Sequence, residues 1–179
     1  LAIEDHEREA KERGEHLGEY QVFREEGAYR HLYRIKTNPE SSLVSGPDAL
    51  TSGLSYSLIN FAVSPKGNNI VFTAGISPSL SDIKSWKIYN FTLKNKNIKE
   101  IVSEMGINSS PLWSPNNKQI AYTHSKGFPY KSVLKVISKG GGKAKTLSQN
   151  FDESVNPIGW TDDGIFFSAS QRTNSFLFQ

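Results

Sequence analysis

The sequence predicts an all-β protein, and three observations support this prediction. The apolar residues fall in short runs that are rich in β-branched and aromatic side chains, as in NIVFTA and GIFFSA. The 14 glycines and 8 prolines fall with serine and asparagine between those runs, where a chain of short strands needs turns. One pattern of strand, polar turn and strand occurs three times at nearly even spacing. Such a repeat restricts the possible architectures.

The three copies of the pattern align residue by residue. They are FAVSPKGNNIVFT from Phe61, PLWSPNNKQIAYT from Pro111 and PIGWTDDGIFF from Pro157. Further apolar runs and polar hairpins follow each of the first two copies, which gives units of four strands. The period, the strand count and the turn positions predict four-stranded antiparallel blades of a β-propeller.

Two columns of the alignment define the predicted structural core of the repeat. Val63, Trp113 and Trp160 share one column, in which we expect the side chains to pack between neighbouring blades. Pro65 and Pro115 share the other. Because proline has no N–H to donate to a strand ladder, we expect each of these prolines to end an inner strand.

The repeat also predicts how the chain is organised. All 179 residues belong to one propeller domain, of which they form an incomplete ring. The expected parts are an acidic helical insert at 1–19, the end of one blade at 20–59, blades at 60–103 and 110–149, and the start of another blade at 156–179. The chain starts with Leu1 rather than methionine, and we interpret it as an interior piece of a longer protein.

Charge and composition restrict the possible partners. The net charge is +3, and Arg172 is the only arginine among the bases of residues 41–179. Because nucleic-acid readers rely on arginine, the scattered lysines predict solubility rather than a nucleic-acid partner. No apolar run is long enough to span a bilayer, and no membrane partner is expected. Cysteine is absent, which leaves the compartment open, with the cytoplasm favoured.

The motifs of common enzyme chemistry are missing from this sequence. GISPS from Gly75 and GLSYS from Gly53 lack the final glycine of the nucleophile motif G-x-S-x-G. KGGGKAKT is not a phosphate-binding loop, because Ala144 follows the Gly-Lys pair where serine or threonine is required. None of the four histidines belongs to a recognisable Ser/Asp constellation. We therefore predict no catalytic residues, no metal ligands and no cofactor in this chain.

The three copies resemble the propeller repeat with a W-S-P-D-G-K core that TolB-type propellers share with the prolyl oligopeptidase family. The order of the flanking pieces is similar to the acylaminoacyl-peptidase and dipeptidyl-peptidase-like branch of that family: an acidic insert, the strand RHLYRI, then a Leu-Thr step at Leu50. The chain departs from the pattern at Lys66 and Asn116, which replace the turn aspartate. The third copy lacks Ser-Pro.

The resemblance implies a function. The family uses a Ser-Asp-His triad on an α/β-hydrolase domain that lies outside the propeller. This chain is then expected to be non-catalytic and to gate and shape the access of short peptides to that domain. Its expected partners are the hydrolase domain of the same polypeptide and peptide substrates, and an oligomer is compatible with this role. The alternative is a TolB-type propeller that serves as a protein-binding scaffold. A propeller enzyme with its own central site is disfavoured, because no concentration of His, Asp, Glu and Arg is visible.

One pair of acids is a candidate substrate site by resemblance alone. In the dipeptidyl-peptidase branch, paired glutamates on the propeller bind the free amine of the substrate. Glu25 and Glu26 are adjacent here and could supply that chemistry, since carboxylates bind ammonium groups well. They lie, however, in a predicted hairpin turn rather than on a helical insert.

Overall fold

The computed structural model describes residues 29–36, 46–53 and 56–179. Within these ranges the chain forms antiparallel strands and one short 3₁₀ helix, Leu80–Ser85. The first two strands, β1 and β2, pair with each other as a small sheet: Tyr33–Arg34 and Asp48–Ala49. The predicted insert at 1–19 lies outside the described residues, and so do Glu25 and Glu26. Half of the predicted blade end at 20–59 lies outside them as well.

Two four-stranded sheets follow, and each is a meander in which consecutive strands are neighbours. The first sheet contains β3 to β6: Ser57–Val63, Asn69–Gly75, Lys87–Thr92 and Asn97–Val102. The second contains β7 to β10: Ile107–Trp113, Gln119–Ser125, Val133–Ser138 and Lys145–Thr146. The two sheets thus span residues 57–102 and 107–146, and each bound is within three residues of the predicted blade limits of 60–103 and 110–149.

A three-stranded sheet ends the described chain. Its strands β11 to β13 are Asn156–Thr161, Gly164–Gln171 and Asn174–Phe178. The four sheets together do not close into a ring. The predicted fold class, an all-β segment of a propeller with four-stranded antiparallel blades, is confirmed.

Apolar clusters hold successive sheets together. The second strand of each complete blade, β4 or β8, is buried on both faces and so contributes side chains to the clusters on either side. Side chains of β4 alternate between two clusters: Ile70 and Phe72 face Leu32 of the preceding segment, and Val71 faces the β7–β10 sheet. Trp160 of β11 packs in a third cluster, against the other face of the β7–β10 sheet. Blade-to-blade packing therefore supplies the core, as a propeller requires.

The three side chains of the Trp/Val column, Val63, Trp113 and Trp160, differ in how deeply they are buried. Trp113 is only 6% exposed, and it packs in the cluster that joins the two complete blades. Trp160 is half-buried. Val63 is 54% exposed, because it lies on the terminal sheet of the described ranges, and its packing between blades stays a prediction. Val63 pairs with Ile70 and so lies on the face turned towards the preceding sheet. In the described ranges, β1 and β2 are too short to cover that position.

The Ser-Pro steps close the turn that follows each inner strand. The Ser114 hydroxyl accepts hydrogen bonds from the N–H groups of Lys118 and Gln119, at 3.2 and 2.9 Å. The Asn117 N–H donates to the Ser114 carbonyl, and Asn117 adopts a left-handed φ of 61°. The first blade has the same arrangement with Ser64 as the acceptor and Gly67 at φ 65°. Pro65 and Pro115 occupy the next position in each turn, directly after the strand ends.

Candidate functional site

The two complete blades present two chemically different ends. Because each sheet is a meander, the β3–β4, β5–β6, β7–β8 and β9–β10 turns share one end, here called the turn end. The β4–β5, β6–β7 and β8–β9 connections share the opposite end, together with the β10–β11 connection; we call it the loop end. The loops of this end span 76–86, 103–106, 126–132 and 147–155. Loops on a rigid scaffold are the usual place for binding residues.

A buried asparagine organises the loop end. Asn108, at the start of β7, has no exposed surface. Its amide nitrogen donates to the carbonyl oxygens of Trp86 and Glu104, each at 2.7 Å. Its amide oxygen lies 2.9 Å from Nδ1 of His124 in β8. Since the amide nitrogen is committed as a donor, the oxygen is an acceptor and His124 Nδ1 carries the proton. Asn108 thereby fixes two loop segments to one strand.

Glu104 extends this network to the surface. Its carboxylate lies 3.3 Å from His124 Nε2 and 2.5 Å from the Lys135 ammonium. Burial lowers the pKa of His124, and the positive charge of Lys135 adds to this shift, while Glu104 opposes it. Burial would raise the pKa of the Glu104 carboxyl, but the hydrogen bond from Lys135 and the proximity of His124 outweigh it and lower that pKa. Near neutral pH the network therefore contains a neutral imidazole beside a carboxylate–ammonium pair.

The network is suited to positioning rather than to bond cleavage. The partners of the His124 imidazole are an amide and a carboxylate, so it is not paired with the hydroxyl or thiol that a histidine base activates in a peptidase. What the network does is hold the β6–β7 loop against β8 and β9. Sequence reasoning missed it, because its members belong to different columns of the repeat. The available signal was a histidine on a strand whose neighbouring positions are all apolar or small.

Large apolar side chains are exposed on the loops of the loop end. Met105 and Phe128 are 86% and 98% exposed, and Ile76 and Tyr130 are also largely accessible. The Lys126 ammonium lies 5.9 Å from the centre of the Tyr130 ring, close enough for a cation–π contact. Exposed apolar side chains concentrated on one end of a domain mark an interaction surface.

A polar cleft of about 640 Å³ opens where the loop end reaches the third sheet. Acids from the β10–β11 loop line one side and a base from the β12–β13 turn lines the other. The lining residues are Asn150, Phe151, Asp152, Glu153, Gln171, Arg172, Asn174 and Phe176. Carboxylates and a guanidinium in one cleft can bind both termini or charged side chains of a peptide.

The predicted site residues are not brought together. Trp113 and Trp160 lie in two different interfaces between sheets, and Pro65 and Pro115 lie in turns of two different blades. In the part of the chain that the structure describes, no group of three or more His, Cys, Asp or Glu could hold a metal ion. The same part contains no helix long and apolar enough to cross a bilayer.

Comparisons with known proteins agree with this architecture. No protein-family model matches the chain. Dipeptidyl-peptidase 5 of Porphyromonas gingivalis is 33% identical over 130 residues, which cover 67% of this chain and 19% of that protein. TolB from Acinetobacter baumannii superposes with a TM-score of 0.56 at 19% identity, over 74% of this chain and 31% of TolB. A puromycin hydrolase superposes with a TM-score of 0.60 at 15% identity, over 84% of this chain and 26% of the hydrolase.

These similarities and the fold define the class. The chain is part of a peptidase-family β-propeller domain, the family being that of the dipeptidyl-peptidase 5 relatives, and its blades resemble those of TolB. Among curated relatives it is similar to dipeptidyl-peptidase 5, and it spans about one fifth of the length of the relatives that it matches.

Proposed function

We propose that this chain is the non-catalytic propeller segment of a serine peptidase, which gates and shapes the access of short peptides to a hydrolase domain elsewhere in the same polypeptide. The observation that supports this proposal is the similarity to dipeptidyl-peptidase 5, a protein about five times as long as the matched segment. The resemblance of the repeat to the prolyl oligopeptidase family agrees with it. The substrates are then peptides with a free amino terminus.

The loop end is the face that we assign to the hydrolase domain. Met105 and Phe128 project apolar side chains from neighbouring loops, where a packed domain would remove them from water. Asn108 and Glu104 hold the loop of Met105, and the Ser125 hydroxyl, which donates to the Tyr130 carbonyl at 2.9 Å, holds the loop of Phe128. The face is therefore organised before a partner docks. The cleft that Asp152 and Arg172 line lies at the same end, where a peptide would enter between propeller and hydrolase.

A test compares matched carboxylate insertions in the longest native polypeptide that contains this sequence. Phe128→Asp places a charge in the proposed domain contact, and Asn95→Asp places one at the turn end. We expect Phe128→Asp to lower kcat/KM for dipeptidyl chromogenic substrates about tenfold or more, since it buries a charge. Asn95→Asp should have little effect. Equal effects of the two variants contradict the assignment of the loop end.

The alternative function is a protein-binding scaffold without catalysis, which the structural similarity to TolB favours. The two functions differ in one measurement. A native polypeptide that hydrolyses dipeptidyl substrates and is inactivated by a serine-directed phosphonate supports the peptidase. One that binds no such reagent and hydrolyses no peptide supports the scaffold. The isolated 179-residue chain should be inactive under either function, and turnover by it that such a reagent abolishes contradicts the non-catalytic role.

A further inference from the structure

The turn end of the two complete blades is uniformly basic. Six lysines lie on its four turns, and all six side chains are exposed: Lys66, Lys94, Lys96, Lys118, Lys139 and Lys143. We call this set the lysine face. Within residues 29–36, 46–53 and 56–179, the bases in ion pairs are Arg34, Lys87 and Lys135. None of the six lysines forms an ion pair in that part of the chain, although Lys96 lies close enough to Asp48 to help to lower the pKa of that carboxyl.

The acids of the same two blades lie elsewhere. The four turns contain no aspartate or glutamate. Asp82 and Glu104 belong to the loop end, and Glu100 on β6 is paired with Lys87 at 2.8 Å. Lys84, Lys126 and Lys131 also lie at the loop end, but there Asp82 and Glu104 accompany them. The larger net positive charge of the two blades is therefore at the turn end.

The fold assembles this face from residues that are scattered in the sequence. The side chain of Asn90 on β5 donates to the Lys139 carbonyl oxygen at 3.1 Å. The Lys99 ammonium on β6 donates to the Gly140 carbonyl oxygen at 2.8 Å. Both bonds tie the β9–β10 turn of the second blade to the outer strands of the first. The lysines of the two blades consequently form one continuous surface.

The chemistry of the face selects its partner. The basic side chains are all lysines, which bind phosphate as point charges and lack the bidentate geometry that reads bases. The four turns expose no aromatic ring for stacking on a base and no large apolar side chain for insertion into a bilayer. They are also short, so no loop projects beyond the lysines. Such a face fits a broad surface of anionic groups that it touches by charge alone.

We propose that the lysine face is a peripheral docking surface for anionic phospholipid headgroups. A cluster of this size is within the range that recognises anionic membranes, where each lysine near the surface strengthens binding about fivefold. The sequence predicted no membrane partner, because no segment could span a bilayer; a peripheral contact needs no such segment. The proposal leaves the loop end free, so it is compatible with a docked hydrolase domain but does not depend on one.

The test uses the longest native polypeptide that contains this sequence and co-sedimentation with phosphatidylcholine vesicles, with or without phosphatidylserine. The Lys66→Gln/Lys118→Gln double variant removes two charges from the lysine face. The Lys84→Gln/Lys126→Gln variant removes two exposed lysines from the loop end and has the same net charge. Thermal melts establish that both variants remain folded.

We expect the wild type to bind only vesicles that contain phosphatidylserine, and more weakly as salt increases. The turn-end variant should bind about 25-fold more weakly, since it lacks two lysines, while the loop-end variant should remain within about twofold of the wild type. Equal losses in both variants would show a response to net charge alone and overturn the proposal. Absence of binding by the wild type overturns it as well, as does tighter binding to duplex DNA than to the vesicles at equal phosphate concentration.

Discussion

The indole nitrogen of Trp113 donates a hydrogen bond of 3.2 Å to the carbonyl oxygen of Ala62, which lies on the inner strand of the neighbouring blade. The same side chain fills the cluster between the blades, where it is 6% exposed. A single residue thus joins the two complete blades by both apolar contact and a polar bond. The position one repeat earlier, Val63, has no N–H to donate from its side chain.

Trp113→Ala should lower the free energy of unfolding by about 3–5 kcal/mol, because it opens a cavity and leaves the Ala62 carbonyl without its donor. Trp160→Ala should cost less, since Trp160 is half-buried. Denaturant unfolding monitored by circular dichroism measures both. A loss below about 1 kcal/mol for Trp113→Ala would show that this side chain is not part of the core.

Ser114→Ala should destabilise the protein by about 1–2 kcal/mol, because the Gln119 N–H loses the buried hydroxyl that accepts its hydrogen bond. The Lys118 N–H keeps a second acceptor, Asn116 Oδ1 at 3.0 Å. Ser138→Ala is the matched control. Ser138 is exposed and accepts one bond from Gly140 at 3.3 Å, so its replacement should change stability by less than about 0.5 kcal/mol. Equal melting temperatures for the two variants would contradict the role of Ser114.

Lys96→Gly should stabilise the protein by up to about 1 kcal/mol, because Lys96 adopts a left-handed φ of 53° that costs a side chain with a Cβ. Lys94→Gly removes the same charge from the same turn at a residue without positive φ, and it should not stabilise. The comparison of the two unfolding curves isolates the backbone effect. A stability gain in Lys94→Gly alone would contradict it.

The stability should decrease as the pH falls from about 7 towards 5. The pKa of His124 is lowered by burial and by Lys135, so the unfolded chain binds a proton in this range that the folded protein does not. His124→Asn should flatten this dependence in a series of denaturant titrations. Glu104→Gln should keep or steepen it, because the carboxylate opposes the shift. The lowered pKa of Glu104 adds a further loss of stability only in more acidic solution.

The isolated 179-residue chain should self-associate at micromolar concentration. Phe61 and Val63 are exposed on one terminal sheet, and Phe176 and Leu177 on the other, where further blades of a complete propeller would cover them. Among the described strands β13 also has a free edge. Light scattering measures the association. A stable monomer with a cooperative melt would mean that these blades need no neighbours.

The strands and the architecture could be predicted from the sequence, because alternation, turn residues and a repeat are local signals. The burial of Trp113 could be predicted for the same reason. The exposure of Val63 could not, since it depends on which residues cover one face of β3. The network of Asn108 with His124 was also invisible, because two of its acceptors are main-chain carbonyls of Trp86 and Glu104. The six lysines of the lysine face lie at one end of the blades because the turns that carry them all close at the same end of each meander.

The meander topology has a consequence for how the protein is made. Each complete sheet is formed by strands that follow one another directly, and each apolar cluster joins segments that are adjacent along the chain. Ribosomal synthesis from the amino terminus therefore delivers one finished blade before the next begins. The surface that receives Trp113, including the Ala62 carbonyl, is complete when that residue emerges. Assembly can then advance blade by blade, with each new sheet using the previous one as its template.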